Sequence, residues 1–198
     1  MIPSNVIQVT ELSILYNMKN IIYIILFAFV FLLIGCGNNE DEIEEVTKMD
    51  KMKLISSVFE NNKFIPDKYG ANFDNINPPL EISNVPKGTK SLVLIMDDPD
   101  AMKPAGKVWD HWIVWNINPG TNVIEENSVP GIQGINSGGK NSYGGPRPPD
   151  ATHRYFFKIF ALDTELELSS KSTKKDVENA MRSHILERTE LVGLFSPK

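Results

Sequence analysis

Cysteine occurs once in this chain, histidine three times, and no basic stretch offsets an acidic excess. A lone cysteine excludes an internal disulfide and a thiolate zinc centre. Lys and Arg number 20 against 25 Asp and Glu, a net charge of −5. That balance argues against general nucleic-acid binding, which needs a basic footprint. No segment repeats at a fixed period, so solenoid and propeller architectures are excluded. No serine sits in a nucleophile elbow, and there is no His-Glu-x-x-His pair. The longest apolar run, Ile21 to Ile34, has 14 residues, where a membrane-spanning helix needs about 20.

What is present begins with that run. It follows Met18-Lys19-Asn20 and ends in Leu33-Ile34-Gly35-Cys36. A basic start, a short apolar core and small residues before a cut are marks of a secretory signal. The ending resembles the lipobox of bacterial lipoproteins. The resemblance implies cleavage before Cys36, a diacylglycerol thioether on its sulfur, and an extracytoplasmic domain held on the cell envelope. Two or three acyl chains anchor stably where one does not. Residues Met1 to Asn17 carry Glu11 as their only charge and fit poorly ahead of such a signal, so translation is expected to begin at Met18.

Charge divides the remainder. Between Gly37 and Asp50 there are six acids (Glu40, Asp41, Glu42, Glu44, Glu45, Asp50) against Lys48 alone. From Lys51 onward, 18 acids meet 18 bases. The acidic stretch is expected to be a solvated tether, because it has too little apolar surface to fold. The organisation is therefore a signal region over residues 1–35, a lipidated cysteine and linker over 36–52, and one neutral domain over 53–198. About 145 residues suffice for a single core.

The domain's apolar pattern is strand-like. Ser91 to Met96 is a continuous run that suits a strand buried on both faces. Val108 to Asn116 alternates, with Trp109, His111, Ile113 and Trp115 on one side. His153 to Leu162 alternates too, placing His153, Tyr155, Phe157 and Ile159 on one face. Leu80 to Ile82 and Leu191 to Phe195 read as shorter strands. Ser172-Thr173 caps one helix, with Asp176 in its first turn and Val177, Ala180, Met181, His184 and Ile185 at helical spacing. Gly, Pro and Asn crowd residues 66–79, 99–106 and 131–149, which marks long loops, and long loops in compact domains carry function. The pattern predicts a mainly β chain: an antiparallel β-sandwich with long loops and a helix near the C-terminus.

Three segments hold polar groups that need a reason. They are Asp97-Asp98-Pro99-Asp100, Asp110-His111-Trp112, and Tyr143 to Tyr155. Each alone has a plain structural reading. Asp-Pro-Asp is a turn signature whose carboxylates accept local N–H groups. A strand histidine is commonly a hydrogen-bonded core residue. Consecutive prolines hold a loop extended. Arg154 suits an ion pair with Asp98 or Asp100. His153 and Tyr155, two residues apart on one strand face, can nevertheless aim at one spot. A protonated imidazole donates from both nitrogens.

Together these segments resemble the phosphatidylethanolamine-binding protein family, and more closely its bacterial Raf-kinase-inhibitor-like branch. The match includes Pro66 to Gly70, Asn77 to Leu80, Val85 to Ser91 and Asp98 to Ala101. It continues through His111 to Val114, Tyr143 to Tyr155, Ala161 to Asp163 and Glu190 to Gly193. The resemblance implies a small pocket for a phosphate or similar oxyanion, formed by Asp98, His111, Pro148, Pro149, His153 and Tyr155, with Asp100, Arg154 and Tyr143 in support. It implies no cofactor and no catalysis. Met102 stands where relatives often have proline, and the stretch from Pro149 to His153 is shorter than in many of them.

The expected partners are a small phosphate-bearing ligand and, through Cys36, a membrane. A protein target and a homodimer stay open, with Trp109, Trp112 and Trp115 read mainly as core. Two other functions stay open as well. One is inhibition of an envelope protease or a kinase by direct contact. The other is an enzyme using Asp98, His111 and His153 as a metal site or an acid–base set.

Overall fold

The computed structural model describes residues 50–198. Cys36, the apolar run before it and the linker up to residue 49 lie outside the described residues. The expected start at Met18 lies outside them too.

Strands dominate, in chain order β1 (Lys53–Ile55), β2 (Lys63–Phe64), β3 (Leu80–Ser83), β4 (Ser91–Asp98), β5 (Trp109–Ile117), β6 (Val123–Ile124), β7 (Ile132–Gln133), β8 (His153–Leu162) and β9 (Ile185–Phe195). A short helix, α1 (Met102–Ala105), follows β4, and α2 (Lys174–Met181) precedes β9. One sheet has three strands in the order β1-β3-β6, and the other has six in the order β2-β9-β8-β4-β5-β7. The large sheet is buried on both faces, which is why β4 is an unbroken apolar run. Leu92, Leu94 and Met96 face the small sheet, packed with Leu54, Ile82 and Phe157. Val93 and Ile95 face the other way, against Ile113, Trp115 and the Val177 and Met181 side chains of α2. The molecule is thus a mainly β, three-layer fold: small sheet, large sheet, helix.

Most of the predicted elements are present, with corrections. β9 starts at Ile185, six residues before the Leu191 expected from the pattern. The added residues include Glu187, Arg188 and Glu190, show no apolar alternation, and pair along β8 from Leu162 onward, so the partner strand defines them. For the same reason α2 stops at Met181, and His184 and Ile185 are not helical. Its start is as expected: the Asp176 carboxylate accepts from the Thr173 N–H at 2.8 Å and the Thr173 hydroxyl at 2.7 Å. One pair of strands, β2 and β9, is parallel, an exception to the antiparallel expectation.

The register of β4 against β5 holds the correction that matters for function. Met96 pairs with Trp112, but Asp97 pairs with Asp110. His111 is therefore an extra residue, a β-bulge. Strict alternation put His111 with Ile113 and Trp115 on the helix-covered face. The bulge turns it to the other face, where its ring meets Tyr155 edge-on with centroids 5.1 Å apart. Bulges re-aim side chains in this way and concentrate beside functional sites.

Candidate functional site

At the end of the large sheet β4 runs out and β8 begins. Asp98 closes β4 and acts twice. Its Oδ1 accepts the N–H groups of Asp100 at 2.9 Å and Ala101 at 3.1 Å, capping the turn Pro99–Ala101. Its Oδ2 lies 2.7 Å from His153 Nδ1. The turn reading of Asp-Pro-Asp and the histidine partner are thus both true, on different oxygens. Asp98 and His153 are each only 3% exposed.

The second nitrogen of His153, Nε2, lies 2.9 Å from Asp150 Oδ1. A ring facing a carboxylate on each side is satisfied only as the doubly protonated cation. Burial pulls its pKa down, but the hydrogen bonds and charges of Asp98 and Asp150 outweigh burial and hold it above 6.5.

His111 is the opposite case. Its Nδ1 is 2.6 Å from the Gly144 carbonyl oxygen, which can only accept, so that nitrogen carries the proton. Burial lowers its pKa below 6.5, against the Gly144 bond and the charges of Asp98, Asp110 and Asp97. The neutral ring then presents a lone pair at Nε2. Two histidines on the strands that flank β4 therefore differ in protonation, because one has two carboxylates and the other a peptide carbonyl.

Tyr155 lies between them. Its ring is fully buried, and its hydroxyl has the Arg147 N–H and the Asp98 carboxylate as polar neighbours but completes a well-formed hydrogen bond with neither. Burial and the neighbouring Asp98 charge push its pKa far up, so the phenol keeps its proton. Native proteins rarely leave a buried hydroxyl unpaired, and each case asks for an explanation. The other such atom among the described residues, Trp115 Nε1, lies in the apolar layer under α2. Tyr155 instead has polar neighbours on both sides.

The loops that hold this cluster are cross-linked by hydrogen bonds. Gly145 N donates to Asn75 Oδ1 at 2.7 Å, Ala71 N to the Pro146 carbonyl at 2.9 Å, and the Tyr143 hydroxyl to the Tyr69 carbonyl at 3.1 Å. The Asn136 side chain fastens the stretch upstream, accepting from Gly138 N and Lys140 N and donating to the Ser142 carbonyl. Pro148 is buried and Pro149 exposed, in the segment between the fixed Pro146 and Asp150. Tyr143 packs edge-on against Trp112 with centroids 5.6 Å apart. Its role is to position the loop, because its hydroxyl is already spent. Arg154 turns outward and grips Asp100 with two bonds, 2.9 and 2.7 Å.

Asp98, His111, His153 and Tyr155 therefore come together, Tyr143, Arg154 and Asp100 support them, and the two prolines lie in the loop that leads to Asp150 and His153. Sequence reasoning missed two participants, Asp150 and Gly144, and one tie on the far face of the sheet, Asp97. Asp150 stands three positions before His153, and its proximity across a tight loop was the available signal. Gly144 acts through its carbonyl, which no side-chain pattern records. Asp97 bonds Lys158 at 2.8 Å and also binds Lys174, tying the start of α2 to the back of the sheet. A surface cleft of about 280 Å³ lies between Phe64, Ile65, Asp67, Phe195, Ser196 and Lys198. None of the predicted residues lines it, although Phe195 is the register partner of His153.

With this geometry in view, comparison with known proteins gives one result. The family model described as phosphatidylethanolamine-binding protein matches residues 55–196. A UPF0098 protein of Pyrococcus horikoshii is 43% identical over 192 residues, covering 91% of each chain. One from Methanothermobacter thermautotrophicus is 43% identical over 152 residues, 73% of this chain and 98% of its own. A crystal structure of a phosphatidylethanolamine-binding protein homologue from Chlamydia trachomatis superposes with a TM-score of 0.72 at 39% identity, covering 75% of this chain and 99% of that one. The Escherichia coli protein YbcL, described as a member of the mammalian family, gives 0.69 at 27% identity, again with 75% and 99% covered. The chain belongs to the phosphatidylethanolamine-binding protein family.

Proposed function

We propose that this family member is a binding module, not an enzyme. Its ligand is a small oxyanion, a phosphate or a phosphate-bearing headgroup, received by Tyr155, His153 and His111 at the end of the large sheet. The domain works outside the cytoplasm, held on the envelope through lipidated Cys36.

The observation that carries this reading is the unpartnered Tyr155 hydroxyl. It is a buried donor placed between a protonated imidazole and a neutral one. A phosphate group matches that set. One oxygen can accept from Tyr155, another from His153 Nε2. A hydroxyl of a monoprotonated phosphate can donate to the His111 lone pair, or His111 can itself take up a proton as the anion arrives. Prolines border the cluster without adding N–H groups, and that favours a stiff site for small ligands.

The donor set also supports binding over turnover. Both His153 nitrogens face carboxylates, and one His111 nitrogen is held by a carbonyl.

The test is calorimetric titration with inorganic phosphate and with phosphorylethanolamine, for wild type and His153→Ala. Binding by wild type and loss of at least tenfold in the variant is expected. Equal binding by the two proteins sinks the assignment. If phosphorylethanolamine and phosphate bind alike, the phosphate group is the recognised part; a clear preference for the former assigns contacts to the rest of the headgroup.

A further inference from the structure

Asp150 is the residue that the reading above leaves without a purpose. It lies on a loop, its side chain is 35% exposed, and its carboxylate takes the outward nitrogen of His153 at 2.9 Å. That nitrogen is the one an incoming anion needs. We propose that Asp150 is an internal stand-in for the ligand: its carboxylate holds His153 in the empty state and must swing out when an oxyanion binds. This inference rests on the binding reading above and extends it to the selection of the ligand.

The charges require such a displacement. With Asp150 in place, Asp98, His153 and Asp150 together carry one net negative charge, which repels an anion. With Asp150 swung into solvent, Asp98 and His153 form a neutral pair whose Nε2–H is free to donate. The two carboxylates are not equivalent partners. Asp98 is 3% exposed and is also locked by two backbone N–H groups. Asp150 makes no other side-chain hydrogen bond among the described residues and reaches solvent at once. Of the two, only Asp150 can leave cheaply.

The competition also selects the ligand. A tethered carboxylate acts at an effective concentration in the millimolar range. A free monocarboxylate offers His153 nothing that Asp150 does not, so it loses. A phosphate has more oxygens than a carboxylate and, when monoprotonated, a hydroxyl donor, so it can engage His153, the Tyr155 hydroxyl and the His111 lone pair at once, where a carboxylate has no donor for His111. Asp150 thereby sets a threshold that only a multidentate anion passes, which makes it a specificity-determining residue.

The experiment is titration of wild type, Asp150→Ala and Asp150→Asn with inorganic phosphate and, separately, with acetate. The Asn variant keeps the loop's shape while weakening the internal bond, and guards against a folding defect in the Ala variant. Expected results are phosphate affinity raised about tenfold in the Ala variant, the range of one charge-assisted hydrogen bond, a smaller rise in the Asn variant, and acetate binding that wild type lacks. Phosphate binding by wild type with no gain in either variant overturns the displacement alone. No phosphate binding by any of the three proteins overturns the binding reading and the displacement together.

Discussion

Tyr155→Phe is the most informative single substitution. It deletes one oxygen and leaves the ring, which packs edge-on to His111 at 5.1 Å. That oxygen is buried and completes no well-formed hydrogen bond with the protein. An unpaired buried hydroxyl costs about 1–3 kcal/mol relative to a satisfied one. Removing it should therefore stabilise the ligand-free protein, by about 1 kcal/mol after the small packing loss. For a domain of this size, 1 kcal/mol raises Tm by about 2–4 °C. The same change should weaken phosphate binding about tenfold, since one hydrogen bond to an anion is lost and a tenfold factor corresponds to about 1.4 kcal/mol. The assay is thermal unfolding of both proteins with and without phosphate, paired with calorimetric titration. Higher Tm without ligand and a smaller phosphate-induced rise are expected. A Tyr155→Phe protein that is less stable and binds phosphate as well as wild type refutes the reasoning, because the hydroxyl would then have a structural partner and no ligand.

Other outcomes follow from particular contacts. Gly145→Ala should destabilise by about 1–3 kcal/mol by chemical denaturation, because a Cβ there would lie 2.3 Å from the Tyr69 carbonyl oxygen. It should also weaken phosphate binding by shifting the neighbouring Gly144 carbonyl that holds His111. Asp97→Ala leaves two part-buried lysines, Lys158 and Lys174, without their shared carboxylate; a loss of about 3 kcal/mol or more is expected from urea midpoints. The two site histidines should tilt the pH dependence of stability in opposite directions. His153, with its pKa raised, contributes fully below pH 6.5 and loses that contribution as pH rises through the raised value. His111, with its pKa lowered, contributes above 6.5, and stability is lost as pH falls through that window. Urea midpoints from pH 5 to 9 should therefore lose their alkaline slope in His153→Ala and their acid slope in His111→Ala. Cys36→Ser should move the protein from the membrane to the soluble fraction of fractionated cells, and unchanged membrane partition would remove the lipid anchor.

The pattern of side chains revealed the long strands well, because their reasons are local. The alternation of His153, Tyr155, Phe157 and Ile159 is a property of β8 alone, and the unbroken run of β4 reports burial on two faces. Features whose causes lie elsewhere in the fold did not show. The strands β2, β6 and β7 have two residues each, too few for any period to register. The first half of β9 has charged residues that become a strand only because β8 is there to pair with. The bulge at His111 adds one residue on β5 with nothing opposite on β4. No reading of β5 alone reveals an insertion defined by its neighbour. The site was therefore legible as a set of residues before it was legible as geometry. The motifs singled out His111, while strict alternation turned it to the wrong face.

The energetics of the cluster favour a function over a structural role. Asp98, His111, His153 and Tyr155 are all buried at one end of the sheet. A buried charged pair is seldom better for stability than apolar side chains of similar volume. If the end of the sheet needed only filling, apolar side chains would fill it, as Phe157 and Ile159 do further along the same face of β8. Here the polar groups are held in place with care. Asp98 is pinned by two N–H groups, His153 by two carboxylates, and His111 by a carbonyl on a loop that is itself tied down. Yet the arrangement stops one bond short, at the Tyr155 hydroxyl. A network built for rigidity would close on itself. One that is fixed everywhere except at a central donor, with its most exposed member at the solvent, is the arrangement that the proposed ligand site requires.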